Sequence, residues 1–66
     1  MKNLPSLLIT FRGEMTQKEL SEKAHVPQSA ISEIEAGKRI PRIDTLCKLT
    51  SALGISVSSL LEDNEH

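Results

Sequence analysis

Thr16-Gln17-Lys18-Glu19-Leu20-Ser21-Glu22-Lys23-Ala24-His25-Val26-Pro27-Gln28-Ser29-Ala30-Ile31-Ser32-Glu33-Ile34-Glu35-Ala36-Gly37 is the stretch on which the fold turns. Its first four residues form a capping box, in which the Thr16 hydroxyl accepts from the backbone three residues on and Glu19 reaches back. The box opens a helix whose Leu20 and Ala24 share a face at a spacing of four. This helix should stop near Ala24. Pro27 then suits a first helical turn. Ala30, Ile31 and Ile34 follow at the 3–4 spacing of a second helix, and Gly37 closes it as the residue beyond the cap.

So few residues join these two helices that an antiparallel hairpin with parallel axes is excluded. Two helices crossing steeply, the helix-turn-helix geometry, fit instead. The crossing requires Leu20, Ala24, Val26, Ile31 and Ile34 to point inward, with Ala24 small at the closest approach. It also requires positive φ in the turn. His25 stands there, where glycine is commoner, and histidine is one of the non-glycine types enriched in that region.

Outward from this core, Leu4 to Arg12 is apolar-rich with Pro5 at its front, and Gly13 ends it. Lys38-Arg39-Ile40-Pro41 is a loop. A fourth helix is expected from Ile43 to Leu53, with Leu46, Leu49 and Leu53 on its inner face and Gly54 at its end. Ser56 can cap a short fifth helix running through Leu61. No segment alternates apolar and polar residues long enough for a strand. The expected fold is all-α, a compact five-helix bundle in one domain spanning residues 1–66, its motif core at 16–37 and a short acidic tail at 62–66.

Sixty-six residues bury only about 60% of the surface the unfolded chain would expose, so stability is expected to be marginal without a partner subunit. No internal repeat or low-complexity tract is present. The apolar run Leu7-Leu8-Ile9 is too short to cross a bilayer or to form a signal-peptide core. A cytoplasmic protein of bacterial or phage origin is expected. The net charge of −1 is low for a nucleic-acid partner, yet Glu62, Asp63 and Glu65 carry three of the negative charges, and without them the balance is +2. A phosphate feels charge only within about a Debye length, and Lys18, Lys38, Arg39 and Arg42 lie close to the helix pair. Cys47 is the single cysteine, read as a small apolar helix residue, so no internal disulfide forms. With only His25 and His66 beside it, no zinc site is expected, and no cofactor is implied. Ser21 and His25 stand four apart without a third orienting group, so the chain is not expected to be an enzyme.

Taken together, Thr16-Gln17-x-Glu19-Leu20-x-x-x-Ala24, Ser29-x-Ile31-Ser32-x-Ile34-Glu35-x-Gly37-Lys38-Arg39-x-Pro41, Thr45-Leu46 and Ala52-Leu53-Gly54-Ile55 resemble the lambda-repressor-like helix-turn-helix family of phage repressors and bacterial regulators. The resemblance covers about residues 15–61. It implies five helices, binding to double-stranded DNA and a homodimer. It also implies that Glu35 pairs with an arginine of the first helix. Thr10 aligns with that arginine, and Arg12 lies two residues on. Either Arg12 supplies the partner from a shifted helix, or Glu35 faces Lys38 or solvent.

In this motif the second helix enters the major groove, where each base pair shows a distinct donor and acceptor pattern. Gln28, Ser29, Ser32 and Glu33 are the exposed residues between the buried isoleucines, and they are the candidate base readers. Gln28 can bond adenine in bidentate fashion, and the serines can reach a base or a phosphate. Glu33 can accept from cytosine or repel phosphates and enforce spacing. The alternative for each is a solvated polar residue. Gln17 is the phosphate candidate at a helix N-terminus, where free amides and a partial positive charge face an anion, and the resemblance points to the same residue. Lys18 is a further backbone contact; Lys38, Arg39 and Arg42 touch backbone or the neighbouring minor groove, or else form a solvated basic loop.

Ile55, Val57, Leu60 and Leu61 make the final segment apolar enough to mark a dimer interface, the alternative being that the two leucines close the monomer core. A stand-alone repressor, or a controller of the restriction–modification type, binding a near-palindromic operator is the first functional expectation. The rivals are an antitoxin that also holds a toxin protein, and a module that keeps only its dimer contacts.

Overall fold

A computed structural model describes residues 3–61. Among them are five helices and no strand: α1 (Leu4–Arg12), α2 (Gln17–Ala24), α3 (Gln28–Glu35), α4 (Ile43–Leu53) and α5 (Val57–Leu60). α2 packs on α3 and α4, α1 packs on α3 and α5, and α4 meets α5. The acidic tail, Glu62 to His66, lies outside the described residues.

The helix boundaries follow local chemistry. At α2 both halves of the capping box form: the Glu19 amide donates to Thr16 Oγ1 at 3.0 Å, and the Thr16 amide donates to Glu19 Oε1 at 2.8 Å. At its other end His25 takes the left-handed conformation, φ 59° and ψ 43°, and the Val26 amide donates back to the Ser21 carbonyl at 3.2 Å. Pro27 stands one residue earlier than the first-turn position expected of it. With φ −56° and ψ 140° it caps α3, and its carbonyl accepts from the amides of Ala30 and Ile31. α3 ends in a Schellman turn: the Gly37 amide donates to the Ile34 carbonyl at 3.1 Å and the Lys38 amide to the Glu33 carbonyl at 2.9 Å. The turn needs Gly37 at φ 77°, a conformation glycine adopts without a Cβ penalty.

Two terminal details differ from expectation. α5 ends at Leu60, and Ser56 sits in the cap position without bonding the backbone. Its hydroxyl meets those of Ser58 and Ser59 instead, at 3.0 and 3.2 Å. In α4, Leu53 is only half-buried while Thr50 is buried. The Thr50 hydroxyl is satisfied within the helix by donating to the Cys47 carbonyl at 3.1 Å.

The core joins all five helices. Leu4 and Leu8 come from α1, Leu20 and Ala24 from α2, Val26 from the turn, Ala30, Ile31 and Ile34 from α3, Leu46 and Leu49 from α4, and Leu60 from α5. Each large side chain enclosed this way contributes roughly 1.5–3 kcal/mol over leaving it in water. All five residues that the steep crossing requires to point inward do so.

Candidate nucleic-acid interface

α3 divides sharply around its axis. Ala30, Ile31 and Ile34 are buried, whereas Gln28, Ser29, Ser32, Glu33 and Ala36 are exposed. At 3.6 residues per turn the exposed set covers a continuous arc of roughly 140°. The helix is thus clamped along one side and presents one uninterrupted face. Gln28, Ser29 and Ser32 make no side-chain hydrogen bond among the described residues, so their donors and acceptors are available to a ligand.

Beneath this face lies a polar network that anchors α1 and α2 to α3. Arg12 donates from Nε to Glu35 Oε2 at 2.7 Å and from Nη2 to Oε1 at 2.9 Å, a bidentate pair. Its third donor, Nη1, reaches the Met15 carbonyl at 2.7 Å. The two side chains are only 18% and 6% exposed. Hydrogen bonding to Glu35 raises the Arg12 pKa above its ordinary value, with burial opposing and the nearby charge adding. Arg12 therefore supplies the arginine that Glu35 requires, and Thr10 is exposed on the far side of α1. The choice between Arg12 and a solvent-facing Glu35 is settled by the last turn of α1, which brings residue 12 over the end of α3.

Gln17 joins the same network. Its Nε2 donates to Glu35 Oε1 at 2.8 Å, so this side chain is turned inward and half-buried instead of standing free at the helix end. The backbone amides of Gln17 and Lys18 make no hydrogen bond among the described residues; they keep the open donors that a helix N-terminus offers an anion. Lys18, Lys38 and Arg42 are exposed and enter no ion pair among the described residues.

From sequence, Glu33 is expected at a base and Arg39 at the backbone. The structure brings them together: Arg39 Nε lies 2.8 Å from Glu33 Oε1, with the side chains 53% and 47% exposed. Sequence spacing gave no sign of this contact, because the pair is joined across the Schellman turn and not along a helix face.

The C-terminal segment needs one correction. Leu60 has no exposed surface and belongs to the monomer's own core, so it has nothing to offer a partner subunit. Ile55 and Val57 are half-buried, and Leu61 is exposed. The most exposed large apolar side chains are elsewhere, Ile40 at 78% and Ile43 at 64%, on either side of Pro41 and Arg42 in the segment leading into α4. Cys47 is a free thiol at the surface. It lines a shallow open groove between α2 and α4, with Lys23, His25 and Lys48. Ser21 and His25 share no hydrogen bond. Among the described residues no group of three or more His, Cys, Asp or Glu is placed to hold a metal ion, and no helix is long and apolar enough to cross a membrane.

Comparison with known proteins bears on this geometry. A family model described as helix-turn-helix matches residues 12–60. An immunity repressor protein of Bacillus phage phi105 is 38% identical over 48 residues, which is 73% of this chain and 33% of that protein. Multiprotein-bridging factor 1 of Candida albicans is 41% identical over 44 residues, 67% of this chain and 29% of its own length. The chain thus spans about a third of the curated relatives it matches. No solved structure gives a significant match. With the family model running from Arg12, the partner of Glu35, through the last residue of α5, the chain belongs to the lambda-repressor-like helix-turn-helix family.

Proposed function

We propose that the protein is a sequence-specific DNA-binding transcriptional regulator that inserts α3 into the major groove and acts as a homodimer. The observation that carries this reading is the α3 face itself. It is a rigid, continuously exposed polar strip whose Gln28, Ser29 and Ser32 have unused hydrogen-bonding groups. A helix of this width fits the major groove, and its N-terminal residues meet base edges. Lys18, Lys38 and Arg42, with the open amides at the start of α2, supply backbone contacts that fix register without reading sequence. Likeness to a phage immunity repressor over this region favours repression. In this reading the protein works without catalysis, in the cytoplasm, on bacterial or phage DNA.

Dimerisation is carried by Ile55, Val57 and Leu61, Leu60 being withdrawn. A two-fold dimer spaces its recognition helices by about 34 Å, one turn of DNA. Selection of duplexes from a random pool tests both parts of the proposal. Enrichment of a near-palindrome with half-sites one turn apart is expected. An unenriched pool would contradict sequence reading, and a single half-site would contradict the dimer. Ile40 and Ile43, exposed beside Pro41, favour one second reading, in which the domain also holds a protein partner. A toxin bound by an antitoxin is one such pairing.

A further inference from the structure

Exposed ion pairs on a surface are common and usually unremarked, but the one between Glu33 and Arg39 lies on the face proposed to meet DNA. Glu33 sits at one edge of the exposed arc of α3, after Gln28, Ser29 and Ser32. Arg39 follows the Schellman turn, whose two amide bonds, Gly37 to Ile34 and Lys38 to Glu33, fix the chain's exit from the helix. The backbone at residue 39 is therefore set relative to the last turn of α3, and the ion pair with Glu33 adds a side-chain contact to that placement.

That contact runs through Nε, 2.8 Å from Glu33 Oε1. The terminal nitrogens of Arg39 make no hydrogen bond among the described residues. The contrast with Arg12 is instructive, because Arg12 commits Nε and both terminal nitrogens to the protein and is a structural residue. Arg39 keeps the fork that matches a pair of acceptors, either guanine O6 and N7 or two phosphate oxygens.

We propose that Glu33 is a positioning residue for DNA binding, holding Nε of Arg39 so that its terminal nitrogens are aimed at an acceptor pair on the duplex. An ion pair this exposed adds little to folding stability, so its effect falls on the complex. A free arginine side chain loses much rotamer freedom when it is immobilised on a ligand, and ordering it beforehand lowers that cost. The arginine also neutralises a carboxylate that would otherwise face phosphates. This role rests on the DNA-binding reading above and refines it.

The test is a double-mutant cycle. Wild type, Glu33→Gln, Arg39→Ala and the double variant are titrated by fluorescence anisotropy against a duplex selected by the wild type and against a scrambled duplex, at several salt concentrations. Melting curves confirm that each variant folds. Arg39→Ala is expected to weaken binding about tenfold or more. Glu33→Gln, although it removes a negative charge, is expected to weaken binding by about threefold to tenfold in the wild-type background and not at all in the Arg39→Ala background. Losses confined to the selected duplex identify a base edge as the acceptor. Equal losses on both duplexes, with a shallower salt slope, identify phosphate. Tighter binding by Glu33→Gln in the wild-type background would overturn the role and leave Glu33 a repelling charge. Additive losses, or no loss on Arg39→Ala, would overturn it as well. A wild type that binds neither duplex would overturn the DNA reading itself, an outcome distinct from a wild type that binds while its variants behave independently.

Discussion

Gln28 occupies the first turn of α3, exposed and without a side-chain hydrogen-bond partner among the described residues, which makes it the strongest single candidate for reading a base. Gln28→Ala is expected to weaken binding to the specific duplex by about 1–3 kcal/mol, the range of one good bidentate base contact, while scrambled DNA is bound nearly as before. Equal losses on both would reduce Gln28 to a backbone contact. Arg12 makes the opposite kind of commitment. Arg12→Met leaves Glu35 enclosed with only Gln17 to bond it, and about 3 kcal/mol of stability should be lost, as when one partner of a buried pair is removed. Urea unfolding with an unchanged midpoint would contradict that. The pH dependence follows from the sign of the shift: Arg12 is raised in the folded state, so the guanidinium stays charged and the stability it contributes is present at neutral pH. On the alkaline side it is lost only as pH rises through the folded-state value. At this scale the sequence was legible where burial follows spacing, as at Leu20, Ala24, Ile31 and Ile34. It was not legible where side chains meet across a turn or between helices. Whether Glu35 receives Arg12 depends on the register of α1 over α3, and no local pattern encodes it; the same holds for Gln17 on Glu35 and Arg39 on Glu33.

Helices α2 and α3 are held at their crossing by two residues of opposite character, a small one that must stay small and a turn residue that tolerates positive φ. Ala24 is nearly inaccessible, and Ala24→Leu should overpack the crossing at a cost of roughly 1–3 kcal/mol. A melting temperature equal to that of the wild type would mean that the helices do not approach closely there. His25 is the only described non-glycine residue with positive φ, it is exposed, and its side chain makes no hydrogen bond among the described residues. His25→Gly exchanges left-handed strain of about 1–2 kcal/mol for a backbone-entropy cost of about 0.5–1 kcal/mol. A net gain in stability, seen as a melting temperature raised by a few degrees, is expected; a fall would show that the imidazole contributes more than its backbone costs. Both positions were readable in advance because the motif's geometry dictates them. The exact seat of Pro27 was not, since proline is tolerated equally well as a cap or in the first turn, and neither was Ser56, whose hydroxyl had neighbouring serines to choose instead of the backbone.

Across the whole molecule, one set of contacts makes a rigid monomer and another is left for partners. The core draws on every helix, including Leu60 of α5, so the C-terminal segment completes the fold before it can serve a dimer. That balance could not be read from an apolar run alone, because the same leucines suit a core or an interface until α1 and α4 are in place. The charges divide in a similar way: Arg12 is paired inside with Glu35 and Arg39 with Glu33, while Lys18, Lys38 and Arg42 are exposed and enter no ion pair among the described residues, as the proposed contact with a polyanion requires. The measurement that bears most directly on the central claim is an anisotropy titration of the native chain, at several salt concentrations, on the DNA upstream of its own coding sequence and on a scrambled duplex. Tight binding that falls steeply with salt, prefers the upstream duplex and saturates at two chains per site is the predicted result. Weak binding that is equal on both duplexes and insensitive to salt would contradict it.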